Sequence, residues 1–269
     1  MKIIALLVHD DAGQEARLQA ALGMARAFQG HLICVEIAVP LAAGDPFGGM
    51  APVLTSAELV RETATKARIE ARLQEELVSW DWVELVGEIA TCLARAATFA
   101  DLIVVDRDTD ALIAIGAAKA AGELLVRTGK PILAVPADSL GFDPGGRALI
   151  AWDGSASANA AMRAALPLLR HATDVALVEF DDGSVPITAE DAATYLARHG
   201  ILATVHSPHP LVGSAGKALL ERIERDRADY LVMGGYGHNR LRERLFGGVT
   251  RTLLSKSPIP LLLAHASSV

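Results

Sequence analysis

The chain has 269 residues, of which 51% are apolar, 21% charged and 4% aromatic, with a formal net charge of −7. That balance excludes a disordered chain and describes a globular protein with an aliphatic core. The negative charge excludes non-specific nucleic-acid binding, which depends on basic surface.

The length allows one large domain or two of ordinary size. Cys34 and Cys92 lie in apolar segments without CxxC or Cys/His spacing. They read as buried thiols rather than a disulfide or zinc ligands. The N-terminal MKIIALLVHDD has a short apolar run that Asp10 and Asp11 end too early for a signal peptide. No stretch reaches the ~18 to 20 apolar residues of a membrane span. The expectation is a soluble, cytoplasmic protein that binds neither nucleic acid nor membrane.

In chain order, Ile3 to Val8 is a continuous apolar run and predicts a strand buried on both faces. Glu15 to Phe28 has helical spacing of Leu18, Ala21, Leu22 and Ala25, with Gly30 as a C-cap. His31 to Val39 is a second strand, and Leu41 to Thr55, rich in Gly, Pro and Ala, an irregular loop. Ser56 to Leu77 predicts a helix capped by Ser56. A strand (Trp82 to Gly87), a helix (Ile89 to Phe99), a strand (Leu102 to Val105), a helix (Ala111 to Thr128) and a strand (Pro131 to Val135) follow.

Ala137 to Gly146 is the natural linker, and the pattern then restarts. Strands are expected at Ala148 to Trp152, Val175 to Phe180, Ile201 to His206, Tyr230 to Met233 and Pro260 to Ala264. Helices are expected at Ser157 to Arg170, Thr188 to His199, Ser214 to Arg227 and Leu241 to Ser257, the last in one or two pieces. Alternating short apolar strands and helices indicate parallel sheets covered on both faces. The halves also echo each other residue by residue. ALLVHDD faces LIAWDGS, and Ala100-Asp101-Leu102 faces Ala228-Asp229-Tyr230. The chain therefore reads as a duplicated α/β unit, residues 1–137 and 146–269.

Ligands in open α/β sheets bind beyond the carboxyl ends of strands, where the strand order reverses. In the second half Asp153 follows the first strand, and Gly234, Gly235 and Gly237 follow the fourth. Gly247 and Gly248 then precede Val249 and Thr250, where a helix can begin and its free N–H groups favour an anion. An ionised Asp153 accepts hydrogen bonds only and suits ribose hydroxyls or an exocyclic amine. It equally suits a turn or helix cap, and Trp152 suits the core or an adenine-side wall.

The spacing Gly234-x-x-Gly237, nine residues, Gly247 resembles the signature of the universal stress protein family. The resemblance covers residues 146 to 269 and, more loosely, 1 to 137, as in the tandem members. It implies two doubly wound five-stranded parallel sheets of order 3-2-1-4-5, paired as a pseudo-dimer within one chain through their fifth strands. It also implies a regulatory protein of the stress response that binds ATP or AMP, with or without Mg. The implied nucleotide contacts are Ala151, Trp152, Asp153, Met233, Gly234, Gly237, His238, Gly247, Gly248, Val249 and Thr250. Gly248 departs from the pattern, because the family's ATP binders carry Ser or Thr there.

In the first half Asp10 is taken as the strand-end carboxylate, but the fourth strand runs into Asp106-Arg107-Asp108-Thr109-Asp110 without a glycine loop. Those carboxylates repel a triphosphate, so this half reads as a degenerate copy. The Asp series lacks the Gly and Glu of a calcium loop. No Gly-x-Ser-x-Gly or HExxH stands in the chain, so enzymatic activity is expected to be a weak ATPase at most. The alternative is a partner-binding module that kept the fold and lost the nucleotide. The protein partner is unknown, and a homodimer is compatible with the sequence.

Overall fold

The structure is a computed structural model that describes residues 1–39, 41–44, 50–53, 56–107, 120–179, 187–206, 214–235 and 248–266. The first half runs β1 (Ile3–Val8), α1 (Gln14–Phe28), β2 (His31–Ala38), β3 (Leu41–Gly44), β4 (Met50–Val53), α2 (Ser56–Glu75), β5 (Ser79–Val86), α3 (Ile89–Ala96), β6 (Leu102–Asp106), α4 (Ala120–Thr128) and β7 (Ile132–Val135). The second runs β8 (Arg147–Trp152), α5 (Ala156–Leu169), β9 (Asp174–Glu179), α6 (Ala189–Arg198), β10 (Thr204–His206), α7 (Ala215–Asp226), β11 (Tyr230–Gly234), α8 (Gly248–Lys256) and β12 (Leu261–Ala264).

Ten strands form one sheet in the order β10-β9-β8-β11-β12-β7-β6-β1-β2-β5. Each half therefore has the order 3-2-1-4-5, parallel within itself. The halves meet at β7 and β12, which pair antiparallel from Leu261 opposite Ala134 to Leu263 opposite Ile132. Both strands are buried throughout, so the pairing removes two apolar edges. The outer edges, β5 and β10, carry more exposed residues.

Continuous apolar strands are buried twice over because alternate side chains enter different layers. Ile4, Leu6 and Val8 join a cluster with residues of α1, α2, α5 and α6. Ala5 and Leu7 join a second cluster with residues of α3, α4, α7 and α8. Both clusters contain residues of the two halves. The linker contributes Phe142, which is buried and packs on Tyr230 with ring centres 5.3 Å apart. No helix among the described residues is long and apolar enough to cross a membrane.

Two local expectations change, and two helix starts fall outside the described residues. Part of the expected loop after β2 is a two-stranded hairpin, with Leu41 opposite Val53 and Gly44 opposite Met50. Its Gly/Pro content had outweighed two short apolar runs flanking a turn-rich segment. At the end of α1 the left-handed residue is Gln29 (φ 47°), while Gly30 donates to Ala25 O, and a Cβ at Gly30 would come within 3.0 Å of Lys2 O. Helix α4 is described only from Ala120, so the expected start at Ala111 lies outside the described residues, as do positions 241–247 of the last expected helix.

Both cysteines are buried and unbonded. Burial, and secondarily Glu70, pushes the Cys34 thiol up to about 12. The duplicated Asp101 and Asp229 have a shared structural task. Asp101 Oδ2 accepts the N–H groups of Lys2 (2.5 Å) and Ile3 (3.1 Å), and Asp229 Oδ2 accepts that of Arg147 (2.6 Å). Burial alone raises the Asp101 pKa. The two amide hydrogen bonds, the terminal ammonium and Lys130 outweigh it and hold the carboxyl below its ordinary value. A depressed folded-state pKa contributes stability above the unfolded pKa, and this is lost as pH falls through the folded value. Asp101→Asn is therefore expected to be less stable than the parent at pH 7 in urea unfolding. The gap should narrow below about pH 4, near the ordinary Asp value.

Candidate functional site

The Asp153-Gly154-Ser155 sequence turns the chain from β8 into α5. Gly154 has φ 66°, a left-handed conformation that glycine adopts without a Cβ penalty. Ser155 donates its N–H to Asp153 Oδ1 (3.0 Å), and its hydroxyl caps α5 by accepting from Ala158 N (3.1 Å). The turn leaves Asp153 exposed at the strand end, with one carboxylate oxygen oriented by the backbone.

β11 lies beside β8, with Tyr230 opposite Ala148 and Val232 opposite Ile150. Its last residue, Gly234, packs against the start of α5. A methyl at Gly234 would lie 2.7 Å from both Ala158 N and Ser157 C, so only glycine permits this approach. Gly235 donates to Ala264 O at 2.8 Å, and its own carbonyl accepts from His265 Nδ1 at 3.0 Å. That contact makes Nδ1 the protonated nitrogen. It therefore cannot take a proton from Ser157 Oγ, 3.4 Å away.

A cavity of about 220 Å³ opens at these strand ends. It brings together seven of the residues the sequence singled out: Ala151, Trp152, Asp153, Met233, Gly234, Val249 and Thr250. Gly248 is the first residue of α8, adjoining the cavity, and among the described residues nothing lies within 4 Å of where its Cβ would stand. Gly237, His238 and Gly247 lie outside the described residues, as do Arg240, Arg242 and Arg244. Trp152 packs in the core, 1% exposed with its Nε1 donating to Ile187 O, and also lines the cavity.

The structure adds Ser155, Ser157, Ala158, Ala215 and Leu219 to the lining. Ser157 and His265 carried no motif. Their only signal was position, one in the first turn after Asp153 and the other directly after the last strand. Two larger grooves, about 670 and 350 Å³, lie toward the opposite strand ends, beside Asp174 and Thr204. Neither includes Asp153 or Gly234.

The same place in the first half is filled by protein. The matching bonds Asp101 N to Ile3 O and Asp229 N to Arg147 O align β1 with β8. His9, not Asp10, then occupies the place of Asp153. Asp10 turns toward α2, where it accepts from Thr65 Oγ1 at 3.1 Å. Asp106 and Arg107 stand where Gly234 and Gly235 stand, and Arg17 where Ala161 stands. The Arg17 side chain is fully buried. Its guanidinium binds Asp11 through both terminal nitrogens (2.9 Å each), Asp106 Oδ2 (2.8 Å) and Gln14 Oε1 (3.0 Å). Its Nε donates to Leu7 O and its Nη2 also to His9 O. Gly13 is required here, because a Cβ would collide with Asp106 Oδ2. Asp108 and Asp110 lie outside the described residues.

The sequence model of the Universal stress protein family matches residues 146–265. Universal stress protein Slr1230 of Synechocystis sp. is 30% identical over 216 residues, covering 77% of this chain and 71% of its own. A universal stress protein from Archaeoglobus fulgidus shares the fold over 98% of both chains, at 15% identity and a TM-score of 0.73. A protein of unassigned function from Pseudomonas aeruginosa PAO1 does so over 98% of this chain and 92% of its own, at 16% identity and a TM-score of 0.65.

Removing one partner of a buried ion pair strands the other charge, at about 3–5 kcal/mol. Arg17→Ala is expected to lose stability on that scale in urea unfolding. Arg17→Ala combined with Asp106→Gly and Asp11→Ser, the residues of the second half, should recover a large part of the loss.

Proposed function

Because the chain belongs to the universal stress protein family, we propose that it is a regulatory protein that binds an adenine nucleotide, ATP or AMP, at one site in its second half. In this reading residues 146–269 form the binding domain. Residues 1–137 form a second domain of the same fold whose own site is lost.

The observation that carries the reading is the meeting of Asp153, Gly234, Val249 and Thr250 around one cavity at the ends of β8 and β11. The two chemical requirements of a nucleotide are met on different walls. Asp153 offers a carboxylate acceptor for ribose or amine donors. The first turn of α8 offers N–H groups without intrahelical partners and the positive end of the helix dipole for phosphate. At about 220 Å³ the cavity is smaller than the ~300–1,000 Å³ of typical small-molecule sites. It therefore suits the nucleoside part, with phosphates outside it against α8.

Gly248 supplies its N–H but no hydroxyl. One neutral hydrogen bond contributes about 1 kcal/mol, less than a factor of ten in affinity. Among the described residues nothing crowds Gly248, so a serine would displace none of them.

Millimolar ATP, ADP or AMP is expected to raise the melting temperature of the purified protein by mass action. Asp153→Ala should abolish the rise, whereas His9→Ala and Asp10→Ala should retain it. Gly248→Ser should lower the nucleotide Kd by a factor of up to about ten. Absence of any shift with all three nucleotides would overturn the reading and leave the partner-binding module of the same fold.

A further inference from the structure

The junction between the halves is symmetric in its strands and asymmetric beside them. Arg107 and Gly235 hold equivalent places. Each follows a fourth strand and donates its backbone N–H to the last residue of the adjacent fifth strand. Arg107 bonds to Val135 O (2.7 Å) and Gly235 to Ala264 O (2.8 Å). The two positions then differ in what crosses the junction, a long side chain from Arg107 and, beside Gly235, a side chain from the other half.

Arg107 reaches across the junction, and its Nη1 donates to Ser257 O at 2.9 Å. Both residues are buried, at 8% and 1% exposure. Ser257 closes the last turn of α8 by donating to Leu253 O, and its hydroxyl holds Ile259 O. Gly235 has no side chain, and the space of its missing Cβ is occupied by Leu125 Cδ2 from α4 of the first half. Leu125 is fully buried. The first half thus bears on two pieces of the second, the glycine turn and the end of α8. Those pieces form two walls of the candidate cavity, through Gly234 and through Val249 and Thr250. At nine residues α8 is about 14 Å long and moves as one short rod.

We propose that Arg107 and Leu125 are positioning residues for the second-half site. The first half, with its own crevice filled by Arg17, is the buttress that holds the site's turn and its phosphate-facing helix in register. The choice of nucleotide as ligand rests on the function proposed above. The positioning itself can be read without ligand.

The test compares the full-length protein with Leu125→Ala, Arg107→Ala and Arg107→Lys. A buried core variant of helix α1 in the first half, Leu22→Ala, serves as the control for general destabilisation. The ligand-free readout is amide hydrogen exchange. Leu125→Ala should speed exchange at Gly235, and Arg107→Ala should speed it along Thr252 to Ser257. Leu22→Ala should not single out either segment. Arg107→Lys retains a donor for Ser257 O and should restore most of the protection. The second readout is ATP titration, in which Leu125→Ala and Arg107→Ala should raise Kd by about 2- to 30-fold, the range of coupling changes at residues outside a site. Exchange at both segments indistinguishable from that of Leu22→Ala would overturn the proposal. So would equal ATP affinity in all variants of a protein whose parent binds ATP. If the parent binds no nucleotide, the nucleotide reading falls, and the exchange comparison alone decides the positioning.

Discussion

A sheet wound in the order 3-2-1-4-5 opens a crevice where its crossovers diverge, between the ends of the first and fourth strands. That space has to be filled by side chains, solvent or ligand, and the two halves answer differently. In the first half Asp106 ends β6, and a buried guanidinium from Arg17 lies between Asp106 and Asp11. In the second, Gly234 ends β11, Ala161 stands at the place of Arg17, and a cavity remains. The substitutions belong together: the arginine needs the carboxylates, the carboxylate at 106 needs the missing Cβ of Gly13, and a cavity needs none of them. A buried charge network of this kind is costly to break from one side, so each half is locked into its own solution.

The second constraint is the pairing of β7 with β12. Two copies of one unit related by a two-fold rotation present their edge strands antiparallel, which is the observed register. Both strands are wholly apolar, and leaving either open would expose an aggregation-prone edge. The join also brings each fourth-strand end close to the opposite half. There the duplication has diverged into a long side chain at Arg107 and none at Gly235. The asymmetry of the crevices is thus matched by an asymmetry of the junction, and both favour the second half as the binding half.

The alternation of strands and helices and the repeat were legible because they rest on periodicity and on the spacing of apolar runs, which sequence carries directly, whereas the strand order and the pairing of the fifth strands came from the family resemblance. Asp153, Gly234 and Thr250 were legible as a group because a strand end, a glycine turn and a helix start can each be located along the chain. Arg17 was not. An arginine in an amphipathic helix ordinarily lies in solvent, and its partner Asp106 is 89 residues away. Asp10 was misplaced by one residue, because the strand register puts His9 at the place of Asp153 and the nearest carboxylate one position later. Gly235 looked like part of a ligand loop, but the space beside it is taken by Leu125 from the other half. Ser157 and His265 were missed because their meeting depends on β12 ending beside α5, which is a tertiary fact.

One nucleotide site per chain, in the second half, is the central claim. Its most direct measurement is backbone amide NMR of the full-length protein titrated with ATP, with the stoichiometry taken from the same titration. The account expects saturation at one equivalent, with shifts concentrated at Asp153 to Ala158, Gly234 to Gly235 and Gly248 to Arg251. Saturation at two equivalents, or comparable shifts at His9 to Gly13 and Asp106 to Arg107, would contradict it.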